Sequence, residues 1–150
     1  MEERMNKIVF KRLVLAGLVT FLVFVAVELV VEVLIGEVVF EGALEQYHQT
    51  LAVPQWGAAN KALNYLIAIV NTSMLIWLYA ALRPMFGVGT KTALIASGFM
   101  LLFVSAFAIN SANLGSYPPR IALIELGYQV LELPIALLVG AQVYEGSILT

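Results

Sequence analysis

Cysteine is absent from the 150 residues, and histidine occurs once, at position 48. Without cysteine there is no disulfide, thiol nucleophile, iron–sulfur ligand set or cysteine zinc site. One histidine excludes bis-histidine haem and histidine-rich metal centres, and His48, in a polar connection, reads as a solvated side chain. The Glu-x-x-His pairs of di-metal carboxylate bundles are missing too. No metal, no cofactor and no nucleic-acid partner are expected. Charge is also scarce, with Asp, Glu, Lys and Arg making up 12% of the chain and a net charge of -2.

What remains is apolar. Hydrophobic residues make up 61% of the chain, and the mean hydropathy is +0.93, far above the apolar share of soluble domains. Four runs, near 9–36, 61–82, 91–111 and 120–144, reach the roughly 20 residues that cross a hydrocarbon core of about 30 Å. Their period is helical, without the alternation of barrel strands. Short connections make consecutive helices antiparallel neighbours. The expected fold is an all-α integral membrane protein, an antiparallel four-helix transmembrane bundle in one domain over 1–150, with an external loop at 37–60. Within that loop, 42–51 suits either a short interfacial helix or an irregular cap. The charged leader "MEERMNKIVFKR" imitates a signal peptide, but the apolar run is too long and no A-x-A site follows, so the first span is expected to stay.

Basic residues set the orientation. Arg4, Lys7, Lys11, Arg12, Arg83 and Lys91 fall on one side, and Lys61 and Arg120 on the other. The positive-inside rule puts both termini in the cytoplasm of a bacterial or archaeal plasma membrane. Trp77, Tyr79 and Tyr144 fit an inner aromatic belt, and Tyr47, Trp56 and Tyr117 an outer one. The pairs Ala58/Ala62, Ala93/Ser97 and Ala136/Gly140 have the spacing that lets helices approach closely. "GVGTKT" at 87–92 lacks the spacing and Gly-Lys pair of a phosphate loop and reads as a turn. "NTS" at 71–73 fits a glycosylation pattern but lies inside a span.

Acidic residues in so apolar a chain call for an account. "ELVVEVLIGE", residues 28–37, carries three glutamates, of which Glu37 reads as solvated. Counting about 1.5 Å per residue from Arg12, Glu28 lies about 24 Å along its helix, and counting from Arg120, Glu125 lies about 8 Å deep. On that count the two are level in the outer leaflet, with Phe24 and Leu123 facing lipid. Glu132, about 18 Å from Arg120, falls near the midplane. Glu125, Tyr128, Gln129 and Glu132 form one helical stripe, and Asn60, Asn64 and Asn71 another. A charge against lipid costs at least about 2.5 to 3.5 kcal/mol near the bilayer centre, so such stripes turn inward. The expected site is an outward-facing polar pocket of Glu28, Glu32, Asn64, Asn71, Ser105, Glu125, Gln129 and Glu132.

Gathered carboxylates disfavour simultaneous ionisation, which suits a site that binds or moves a proton, a cation or a small polar ligand. The competing reading is that these groups hold helices together by hydrogen bonds, in which case Glu132→Leu destabilises more than Glu132→Gln. Expected partners are the lipid bilayer and either further copies of the chain or a larger membrane complex, in which it would be an accessory subunit. No catalytic residue is identified, since a substrate-positioning group is lacking.

The segments "KRLVLAGLVTFLVF", "GEVVFEGALEQY" and "GYQVLELPIALLVGAQVYE" resemble small bacterial four-span membrane proteins grouped only as domains of unknown function. The resemblance covers nearly the whole chain and implies the four-span fold. It carries over no site residue.

Overall fold

The structure, a computed structural model, describes residues 10–36, 58–115 and 118–146. Every regular element among them is helical, and four helices are long and apolar enough to cross a membrane. Helix α1 spans Phe10–Val31 and runs into a π-helical turn, Glu32–Gly36. Helix α2 spans Ala58–Phe86, α3 Thr90–Asn113 and α4 Pro119–Glu145.

The largest difference from the expected spans is in α2, which continues past residue 82 and through Pro84 to Phe86. Proline removes one intrahelical donor and disfavours helix just before it. Here it falls in the last turn, and the Gly87 N–H closes that turn by donating to the Arg83 carbonyl at 2.9 Å. Gly87 and Gly89, at φ 87° and 115°, then reverse the chain within three residues. A Cβ at either would be strained, so the glycines fix where α2 stops. On α4 the order is the complementary one, with Pro119 at the first helical position and Gly146 in the left-handed region as the stop.

The helices form a ring in chain order. α1 has its widest contact with α4, α4 also packs on α3, and α2 bridges α1 and α3. Arg12 lies against Gly146, Ala16 and Thr20 lie against Gly140, and Gly17 lies against Ser73 and Ile76. These pairings run α1 antiparallel to both α4 and α2.

Small residues make the α1–α4 contact possible. A Cβ on Gly140 would overlap the Thr20 hydroxyl and stand 3.2 Å from the Ala16 carbonyl oxygen. Ala136/Gly140 and Ala93/Ser97, two of the three expected small pairs, are buried. Ala62 of the third is exposed, and the Ala58 side chain lies outside the described residues. The hydroxyls inside the bundle are satisfied locally. Thr20 donates to the Ala16 carbonyl at 2.7 Å, Thr72 to Ala68 at 2.9 Å and Ser97 to Ala93 at 2.9 Å, a back-bond that spares a buried hydroxyl its desolvation cost.

The core sits at the end shared by the start of α1 and the end of α4. Ala16, Leu75, Ile76, Tyr79, Ala93, Leu137 and Tyr144 belong to it, and Met100 and Leu133 carry it to the middle of α3 and α4. Two expectations are corrected here. Tyr79 and Tyr144 are 0% and 2% exposed and lie inside the bundle; only Trp77 of that trio faces outward. Phe24 packs against the core, whereas Leu123 is exposed as expected. Helical spacing alone does not give the rotation of a helix whose residues are nearly all apolar, because no polar face marks the outside. The interfacial segment 42–51 and Glu37, Tyr47, His48, Trp56 and Tyr117 lie outside the described residues.

Candidate functional site

Two polar groups stand out, one at the C-terminal end of α4 and one running from its N-terminal half to its middle at Glu132. At its C-terminal end, Arg83 Nη1 donates to both carboxylate oxygens of Glu145 at 3.1 Å. The Tyr79 hydroxyl donates to Glu145 Oε1 at 3.2 Å and accepts from the Gly89 N–H at 3.2 Å. The Arg83 guanidinium lies 5.3 Å from the centroid of the Tyr144 ring. That ring meets Tyr79 edge to face, with centroids 6.3 Å apart and planes at 86°, a favoured aromatic geometry. One cluster thus fastens the end of α2, the start of α3 and the end of α4. An adjoining cavity of about 220 Å³ is lined by Tyr79, Gly89, Thr90, Gln142 and Glu145 among others.

This cluster went unread in the sequence, where Arg83 counted only toward orientation. The usable signal was topological: in an up-down-up-down bundle α2 and α4 end on the same side, which brings their last charged residues together.

The second group is the acidic stripe, from the N-terminal half to the middle of α4. The register that sets Thr20 against Gly140 advances eight residues along α1 to Glu28 and eight back along α4 to Glu132. The two carboxylates are electrostatic neighbours. Glu28 is therefore level with Glu132 and not with Glu125 as the residue count implied. That count treated Arg12 and Arg120 as marks of two equivalent surfaces, whereas the packing of small residues sets the stagger. Tyr128 stands among Glu125, Glu132 and Glu28, and Glu32 neighbours Glu28.

Burial separates the eight expected pocket residues. Glu28, Glu32 and Asn64 are exposed; Asn71, Ser105, Glu125 and Gln129 are half-buried; Glu132 is fully buried. Among the described residues neither carboxylate oxygen of Glu132 has a hydrogen-bond partner, nor does the buried Oε1 of Gln129 one turn earlier. Asn64, Asn71 and Ser105 donate no hydrogen bond to this group among the described residues. The structure thus brings Glu28, Glu32, Glu125, Tyr128 and Glu132 into one electrostatic neighbourhood along α1 and α4.

No protein family, curated protein or solved structure matches this chain. The chemistry of the site rests on its own geometry. A buried carboxyl without partners is the exception in folded proteins, where nearly all buried polar groups are hydrogen-bonded. Stranding one costs about 1 to 3 kcal/mol, and more when it is charged. Among the described side chains the basic ones, Lys11, Arg12, Arg83, Lys91 and Arg120, all stand at helix ends. The arrangement suits a positively charged partner for Glu132.

Proposed function

We propose that this chain is a small polytopic membrane protein that binds or moves a proton or a small cation through Glu132. The observation that carries the proposal is the complete burial of that carboxyl with neither oxygen bonded. A group kept only to fasten helices would have a partner, as the buried hydroxyls do. Membrane embedding is supported by the exterior: Leu22, Leu66, Trp77, Leu102, Phe103, Phe107 and Leu131 are all exposed, an apolar surface far larger than soluble monomers tolerate. On this reading the core end, with Lys11, Arg12, Arg83 and Lys91, faces the cytoplasm.

Carbodiimide labelling tests the site, since the reagent modifies protonated carboxyls in apolar surroundings. In purified protein, Glu132 is expected to be the main adduct found by mass spectrometry. In liposomes, Glu132→Gln is expected to abolish acid-driven dye quenching. Quenching by the Gln variant equal to the parent's would overturn the proposal. The orientation has a separate check, made simple by the absence of native cysteine. In intact cells an impermeant thiol reagent should label Asn113→Cys and leave Val88→Cys untouched, and the reverse pattern would invert the topology.

A further inference from the structure

Resting on that reading of Glu132, we infer that the site takes a dehydrated monovalent metal cation of sodium or lithium size, coordinated by both Glu132 oxygens and by Gln129 Oε1. Size comes first. Glu132 is 0% exposed, so its surroundings close to anything as large as a water molecule, and organic solutes do not fit.

Donor counting comes second. Gln129 and Glu132 are one turn apart on the same stripe of α4, and together they present three buried oxygens with no donor. The ionisable groups that neighbour Glu132 are Glu28 from α1 and Tyr128 from its own helix. The described part of α2 has no ionisable residue between Tyr65 and Tyr79, and α3 has only Lys91, at its start. A single proton on Glu132 supplies one donor and leaves one of the remaining oxygens bare. A coordinated cation gives all three oxygens a partner at once, which is what hard cations seek from carboxylate and amide oxygens.

Charge selects the valence. One buried carboxylate neutralises one positive charge. Among the described residues no group of three His, Cys, Asp or Glu is suited to a metal ion, as a divalent or transition-metal site would need. An alkali cation needs no such group, because amide oxygens serve it.

Thermal unfolding in detergent at one pH tests this, with NaCl, LiCl, KCl or choline chloride at equal concentration. A cation that binds only the folded state raises the midpoint, and a rise of about 3 °C or more in sodium or lithium over choline is expected for the parent. Glu132→Gln should abolish the rise and Gln129→Leu should reduce it by more than half. If Glu132→Gln does not fold, Gln129→Leu and protection of parent Glu132 from carbodiimide by sodium decide the matter instead. Equal midpoints in all four salts, or a rise that survives Glu132→Gln, would overturn the inference. In that event a pH-dependent midpoint in the parent, lost in Glu132→Gln, keeps the proton reading standing. Loss of both dependences removes the two readings together.

Discussion

The end of the bundle that holds the start of α1 and the end of α4 buries Tyr79, Leu137, Gly140 and Tyr144. At the other end every residue of α2 from 62 to 67 is exposed, and where the core gives out, midway along α4, the bare carboxyl of Glu132 is hidden. The first end joins helices by close backbone approach, with Thr20, Thr72 and Ser97 satisfied within their own helices and the Tyr79 hydroxyl bonded across to Glu145. The middle keeps a polar group that no described neighbour satisfies. Stability and chemistry are thus separated along the bundle axis: one end holds the helices in register, and the middle can carry an unfavourable group because that end fixes its position.

The sharpest way to break that contrast is Gly140→Leu, which drives a large side chain into Thr20 and the Ala16 carbonyl. Gly140→Ala alone should cost about 1 to 3 kcal/mol as overpacking, and Leu more, measured by thermal unfolding in detergent. Combining Thr20→Ala with Gly140→Ala removes the overlapping hydroxyl and should recover part of the loss. Strict additivity of the two changes would mean that the contact does not set the register.

At Glu132, midway along α4, the sign should reverse. The sequence alone favoured a penalty for Glu132→Leu, through a lost interhelical hydrogen bond. With neither oxygen bonded, that penalty has no source. Removing a stranded carboxyl should instead stabilise the cation-free protein by about 1 to 3 kcal/mol, while Glu132→Gln, which leaves a polar group stranded, gains less. A Leu variant that unfolds more easily than the parent in choline would show that Glu132 has a partner after all.

A smaller effect is expected at the Arg83–Glu145 pair, whose side chains are 12% and 20% exposed. A double-mutant cycle of Arg83→Gln and Glu145→Gln should give a coupling of about 1 kcal/mol, weakening with salt. The smallest is Gly17→Ala. Its Cβ would stand 3.6 Å from Ile76 Cγ2, an ordinary contact, and replacing a helical glycine there should stabilise by about 0.5 kcal/mol. Opposite signs at Gly17 and Gly140, for the same substitution, would confine the close approach to the α1–α4 face.

Much of this architecture was legible in the residues. Apolar length gave four helices, and Gly87, Gly89, Pro118 and Pro119 marked two of the turns. Glu132 was identified as deep because its distance from both ends of α4 needs only the helical rise. Rotation and stagger were less accessible. Phe24 faces the core and not lipid, and Tyr79 of the expected aromatic belt is buried, because on helices where almost every side chain is apolar the residue pattern does not mark a face. The levelling of Glu28 with Glu125 failed for a related reason: stagger is decided by where small residues let backbones meet, at Ala16, Thr20 and Gly140, and not by which charges end the spans. The Arg83–Glu145 pair joins residues 62 positions apart, a contact no local pattern encodes.

Because the widest interface in the molecule joins α1 to α4, it also constrains the order of events during synthesis. When α1, α2 and α3 have left the ribosome, the first helix can pack through Gly17 on α2 but still lacks its main partner, and Ala16 and Thr20 have no Gly140 to close on. The bundle can lock only after the last span arrives, as insertion followed by lateral association allows. A ribosome paused before residue 119 should therefore hold three inserted but loosely associated helices, and α4 made as a separate polypeptide should be able to complete them.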